Sequence, residues 1–225
     1  MVQNGESGLA DAKRPDYFET DRTEFLDWVG GHHARVLDIG CGAGGSAAWY
    51  RSHGASEIVG VEMHGPSAKR AASRMDRVLP LPIEEAIAEL SGTFDLIVCA
   101  DVLEHLVDPW AIVRQLATLA GPSTVLAVSV PNIRFLPAVI RVAFGRGFVY
   151  EERGIFDATH LRFFTPRDAR LLLQGGGWQV RRSGAPEPGR QRPIRKGIAT
   201  LTGGRTDQWL ASQTYLAARL GAHDS

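Results

Sequence analysis

The chain is short of cysteine, of net charge and of long apolar runs, and each shortage removes a class of protein. Two cysteines in 225 residues, Cys41 and Cys99, are too few for a disulfide framework. Both fall in stretches that read as buried strand ends or tight turns, so a reducing, cytoplasmic setting fits. Twenty-five basic residues balance twenty-five acidic ones. No global field therefore draws the chain toward nucleic acid or an anionic membrane, and nucleic acid is an unfavoured partner. No run approaches the ~20 apolar residues of a membrane-spanning helix. The polar amino terminus MVQNGESGLADAKRPDYFET holds no apolar signal core, and no internal repeat is visible.

What is present suffices for one buried core: 44% of the residues are hydrophobic. Residues 1–15, rich in Gly, Ser, Asp and Lys without periodicity, are expected to be a disordered leader, with 16–225 as a single domain. From Tyr17 to Val29 apolar residues recur at helical spacing and end at Gly30-Gly31. An alternation follows. ARVLDIG (34–40), EIVGVEM (57–63), RVLPLPI, FDLIVCA (94–100), TVLAVSVP (124–131), GWQVRRS and a last stretch near SQTYLAARL read as strands, with helical segments between most of them. In DPWAIVRQLATLAGP, Asp108 is a cap, Pro109 occupies the first helical position and Gly121-Pro122 is a stop; Thr165 caps PRDARLLLQ. The expected fold is α/β, a seven-stranded, mostly parallel, doubly wound sheet. Residues 132–160 break the rhythm and are expected to be a helical, substrate-side insertion after the fifth strand. A Pro/Gly/Arg-rich loop is expected at 184–204.

VLDIGCGAGG sets glycines at 40, 42, 44 and 45 where the first strand should turn into a helix, which lets backbone approach a ligand closely. Spacing alone leaves the ligand open: Gly40, Gly42 and Gly45 also fit a dinucleotide fingerprint, with Glu62 about 20 residues on as the ribose acid. No Tyr-x-x-x-Lys pair exists for short-chain dehydrogenase chemistry. The whole run, with Asp38 two residues before the first glycine, resembles the first motif of class I S-adenosylmethionine (SAM) methyltransferases. EIVGVEM resembles the second, FDLIVCADVLEHL the fourth, and the helix and strand that follow resemble the fifth. The resemblance spans about residues 16–182 and implies a Rossmann-like methyltransferase fold.

It also implies cofactor contacts from Asp38, Gly40, Gly42, Glu62, Met63 and Ala100, with Glu62 on the ribose hydroxyls. Where relatives carry an acid after the third strand to hold adenine, this chain reads Leu81-Pro82-Ile83, which leaves the Ile83 backbone. YFETDRTEFL resembles the pre-core helix, where Tyr17 and Arg22 would reach the methionine carboxylate of SAM; a solvated arginine on a surface helix is the alternative.

Asp101, Glu104 and His105 follow the fourth strand at i, i+3 and i+4, one face of a helical turn. Two carboxylates and an imidazole suit a hard divalent cation, Mg²⁺ or Mn²⁺. Asp101 and Glu104 also fit a capping box, and His105 alone a general base. Together with His160, the cluster resembles the metal site of small-RNA terminal 2′-O-methyltransferases, Asp101 standing where that family has Glu. DVLEHL also resembles the ubiquinone-pathway O-methyltransferases. The expected metal set is thus Asp101, Glu104, His105 and His160, with Glu104, His105 and His160 as the catalytic groups. GIFDATHLRFFTPRDARLLL resembles bacterial glycan-assembly methyltransferases, so the leading acceptor is a sugar or oligosaccharide hydroxyl. Arg134, Arg141, Phe144 and Tyr150 would line its groove, or form a lid with its arginines in water. A phenol acceptor of the ubiquinone type, with apolar residues exposed on the insertion, and a non-catalytic SAM-binding protein are the alternatives. Oligomeric state is left open, a homodimer among the options.

Overall fold

A computed structural model describes residues 22–145, 147–186 and 207–221, apart from the side chains of 207 and 208. The expected leader, Tyr17, Arg146 and most of the 184–204 loop lie outside the described residues. Seven strands form one sheet: β1 (Arg35–Ile39), β2 (Glu57–Val61), β3 (Arg77–Leu79), β4 (Phe94–Ala100), β5 (Ala120–Pro131), β6 (Trp178–Gly184) and β7 (Gln213–Leu220). Their order is β3-β2-β1-β4-β5-β7-β6. Pairing is parallel from β3 through β5, while β7 runs antiparallel to both β5 and β6. This is the α/β fold expected from the sequence.

The strands read as near-continuous apolar runs because helices cover both faces. Val36, Ile58, Leu96, Val98 and Ala127 pack on one side with α1 (Thr23–Val29), α2 (Ala47–Ser52) and α3 (Gly65–Ala71). Leu37, Ile39, Val59, Ile97 and Leu126 pack on the other with α4 (Ile83–Ala86), α5 (Pro109–Leu116) and α7 (Pro166–Gly175). Local chemistry fixes the helix starts: the Asp108 carboxylate accepts from the Ala111 amide at 2.9 Å. Thr165 and Asp168 form a capping box.

Gly121-Pro122 does not stop a helix. Helix α5 tightens at Ala117 into a 3₁₀ turn, and β5 already begins at Ala120. Thr124 Oγ1 accepts from the Gly121 amide and donates to the Phe94 carbonyl, so the proline sits in an irregular strand start where pairing with β4 shifts. The insertion contains α6 (Leu136–Phe144), of which only Ala138 is buried. A short α8 (Asp207–Leu210) precedes β7. Strand order reverses between β1 and β4, so their carboxyl ends open the crevice in which such sheets bind ligands.

Candidate functional site

At the end of β1 the chain bends through Gly40 (φ 68), Gly42 (φ 56) and Gly44 (φ 77), all left-handed. A Cβ on Gly40 would stand 2.6 Å from Val102 Cγ2, and one on Gly44 3.1 Å from the Ala71 Cα, so the bend fits closely against its neighbours. Glu62, buried beyond β2, accepts the Gly42 amide at 2.9 Å and the His64 amide at 2.8 Å. Burial pushes its acid up, and these two amides pull it back down. Asp38 is buried in β1 on the side facing Tyr50; burial raises its acid to about 7, against the Tyr50 hydroxyl and Arg22. Asp38, Gly40, Gly42 and Glu62 therefore gather at one crevice mouth, the carboxyl ends of β1 and β2. Ala100 closes β4, Met63 follows Glu62 and is 55% exposed, and the Ile83 side chain is buried in the core at the start of α4, which leaves its backbone for any ligand contact.

Arg22, just before α1, reaches the same mouth. Its guanidinium meets the Asp101 carboxylate at 2.5 Å and lies in the field of Asp38 and Glu104. Asp101 is the one non-glycine at positive φ (54°) among the described residues. Its carboxylate also accepts from the Ser129 hydroxyl at 3.0 Å and from Gln213 Nε2 at 3.0 and 3.1 Å. Two sequence expectations change here. Val102, with no side-chain cap bond, precedes the 3₁₀ turn Leu103–His105, so no Asp101–Glu104 capping box forms. With Asp101 turned aside, the i, i+3, i+4 face dissolves, and Asp101 stands outside the group of residues whose ligand atoms gather closely enough to hold a cation.

That group is Glu104, His105 and His160, one ligand atom of each lying within 4.8 Å of the others. Glu104 is 1% exposed, both its carboxylate oxygens lack a hydrogen-bond partner, and burial followed by the Asp101 charge pushes its acid well up. His160 Nε2 lies 4.0 Å from Glu104 Oε1. His105 Nδ1 sits 3.1 Å from the Thr159 carbonyl and His160 Nδ1 3.1 Å from the Ile155 carbonyl. A carbonyl only accepts, so each ring donates from Nδ1. The returning chain is pinned by the Glu104 carbonyl, which accepts from the amides of Leu161 and Arg162 at 2.8 and 2.9 Å. His160 thus comes back over the β4 end although 55 residues separate it from His105.

Two arginines of the insertion, Arg134 and Arg141, have intramolecular partners. Arg134 lies over the Trp209 ring, and Arg141 over Phe156 while it bonds Glu151 at 2.5 Å. Many of the insertion's apolar side chains face outward, although Ala138 and Phe156 are buried: Ile140, Val142, Phe144, Phe148, Val149 and Tyr150 are all exposed, Phe144 to 87%. An aromatic path leads inward from them. Tyr150 packs on Phe148, Phe148 on Phe163, Phe163 on His160 and His160 on His105, with ring centroids 4.7–6.3 Å apart. Gln213 and Ser129 were not singled out from the sequence. No local pattern marks either, since the sheet order alone brings them to Asp101.

Residues 11–183 match the model of a family described as "Methyltransferase domain". A ubiquinone biosynthesis O-methyltransferase of Neisseria meningitidis serogroup C is 34% identical over 166 residues, 67% of this chain and 68% of that protein. The protein of the same description from Chromobacterium violaceum is 29% identical over 164 residues, 68% and 69% of the two chains. Among solved structures, a SAM-dependent methyltransferase from Archaeoglobus fulgidus superposes with TM-score 0.63 at 16% identity, covering 92% of this chain and 94% of its own.

Proposed function

Because the chain belongs to the class I SAM-dependent methyltransferases, we propose that it is an O-methyltransferase. Its acceptor hydroxyl is held beside a divalent cation at Glu104, His105 and His160. The observation that carries this reading is the Glu104 carboxylate, fully buried with neither oxygen hydrogen-bonded, with a ligand atom of His105 and of His160 within 4.8 Å. A buried carboxylate without a partner is strongly disfavoured unless a cation completes it or a proton neutralises it, and the raised acid of Glu104 marks that cost. Histidine ligands to metals ordinarily donate their other N–H to a carbonyl in this way. SAM suits the crevice on similar grounds: the positive-φ bend brings backbone close to a ligand, and Asp38, Glu62 and Arg22 line it with charge of both signs.

SAM would supply the methyl group on a sulfonium, and the cation would lower the pKa of a bound hydroxyl and orient it. The remaining work belongs to the chain's own side chains. The Gly40–Gly44 bend and Glu62 fix the nucleoside, Arg22 the amino-acid carboxylate, and the carbonyls of Thr159 and Ile155 fix the two imidazole tautomers. In-line displacement then depends on the acceptor oxygen being held at the end of β4. If no cation binds, His105 or His160 would serve as the general base.

Two adjacent hydroxyls best fill such a cation site, which fits both a catechol and a sugar diol. The exposed apolar insertion and the aromatic path from Tyr150 to His160 favour an acceptor with an apolar body, as a phenol of the ubiquinone type would have. A sugar or oligosaccharide hydroxyl is the second reading, favoured by the exposed rings of Phe148 and Tyr150, faces on which a sugar can stack. Residues 132–160 would act as the lid in either case, in a cytoplasmic enzyme. A non-catalytic SAM-binding role would leave the Glu104–histidine group without a purpose. A screen with tritium-labelled SAM across catechols with and without alkyl chains, sugars and RNA ends tests this. Labelling of apolar catechols, abolished by EDTA and restored by Mg²⁺ or Mn²⁺, is the expected result. Full turnover after rigorous chelation would remove the cation, and labelling of nitrogen or carbon would remove O-methylation.

A further inference from the structure

Asp101 has more ties than a loop residue needs. Its backbone is held left-handed at φ 54°, a conformation uncommon outside glycine, asparagine and aspartate. Its amide donates to the Ser129 carbonyl at 3.0 Å. Its carboxylate gathers the Ser129 hydroxyl from β5, Gln213 from β7 and Arg22 from the segment before α1. Three parts of the chain, 28 to 112 residues away in sequence, thus converge on one side chain at the β1–β4 crevice.

We propose that Asp101 is a positioning residue for the cofactor: anchored by Ser129 and Gln213, it holds the Arg22 guanidinium where the amino-acid carboxylate of SAM arrives. The inference rests on the cofactor reading and is independent of the cation. A guanidinium is a rigid planar fork, so fixing one nitrogen fixes the direction of the rest. Arg22 also feels Asp38 and Glu104. Without Asp101 it would turn toward one of these and leave the carboxylate position. The strained backbone has a purpose on this account, because it points the carboxylate across the crevice to Arg22 and away from the Glu104 turn.

The test compares S-adenosylhomocysteine with 5′-methylthioadenosine, which shares the nucleoside and lacks the amino-acid carboxylate, by calorimetry. Asp101→Asn keeps the side-chain shape and the left-handed backbone and removes the charge. S-adenosylhomocysteine should bind about tenfold more weakly to this variant, the cost of reordering one long side chain, while methylthioadenosine binds as before. Adding Asp101→Asn to Arg22→Met should produce no further loss, as expected of residues acting as a unit. Gln213→Met should weaken S-adenosylhomocysteine in the same direction by a smaller factor, and carries the contrast if Asp101→Asn does not fold. Unchanged S-adenosylhomocysteine affinity, or parallel weakening of both ligands, would overturn the assignment. So would loss of Mn²⁺ binding in Asp101→Asn, which would return Asp101 to the cation site. Turnover that survives chelation would refute the cation and leave this positioning role untouched.

Discussion

Replacing Asp38 by Asn should stabilise the cofactor-free protein at alkaline pH, the reverse of what loss of a buried charged group usually does. Asp38 is 5% exposed in β1, and burial is the largest reason its acid rises from 3.8 to about 7. The folded state therefore binds this proton more tightly than the unfolded chain does. Stability from the group is complete below pH 3.8 and is lost as pH climbs toward 7. At 1.36 kcal/mol per pH unit the full loss is about 4 kcal/mol. About 2.5 kcal/mol of it falls between pH 5 and pH 8. With a urea dependence of about 2 kcal/mol per molar, the wild-type midpoint should fall by about 1 M relative to Asp38→Asn over that interval. Glu62 and Glu104, also pushed up by burial, act in the same direction in both proteins and cancel in the comparison. Urea titrations of both proteins at pH 5 and pH 8 without SAM make the measurement. Midpoints that move in parallel would refute the assignment of a costly buried charge to Asp38.

Gly40→Ala should abolish measurable S-adenosylhomocysteine binding by calorimetry and cost about 2 kcal/mol of stability, from the left-handed backbone and the 2.6 Å approach to Val102. Thr165→Ala, which removes the capping box of α7, should cost about 1 kcal/mol and lower Tm by about 3 °C in a calorimetric scan, with methyl transfer unaffected. Phe144→Ser, at an 87% exposed position, should leave stability within about 0.5 kcal/mol. It should raise KM for a catechol bearing an alkyl chain and leave KM for plain catechol alone; equal effects on both would disconnect the insertion from the acceptor.

The fold was legible because its signals are local. Parallel strands covered on both faces read as the unbroken apolar runs VLDI, EIVGV and DLIVCA. Asp108 and Thr165 announce helix starts through bonds only three residues long. The glycine bend after β1 was legible for the same reason, since left-handed turns select glycine wherever they occur. The second half of the site was less so. DVLEHL was read as one helical turn with a shared face, but a single left-handed residue at Asp101 removes that face, and a sequence pattern does not report φ at an aspartate. Asp101 then binds Arg22, Ser129 and Gln213, partners supplied by strand order and by the segment before α1. His160 could be nominated from its chemistry; its approach to Glu104 depends on backbone bonds from Leu161 and Arg162 that no side-chain motif encodes. Gly121-Pro122 misled because glycine and proline end helices and begin irregular strands alike.

The most direct measurement of the proposed chemistry is Mn²⁺ binding followed by electron paramagnetic resonance, with S-adenosylhomocysteine present. The wild-type protein should hold one Mn²⁺, and Glu104→Gln and His160→Gln should each release it while still binding the nucleoside. A wild-type protein that leaves all its Mn²⁺ in solution, or a Glu104→Gln protein that retains the ion, would contradict the account.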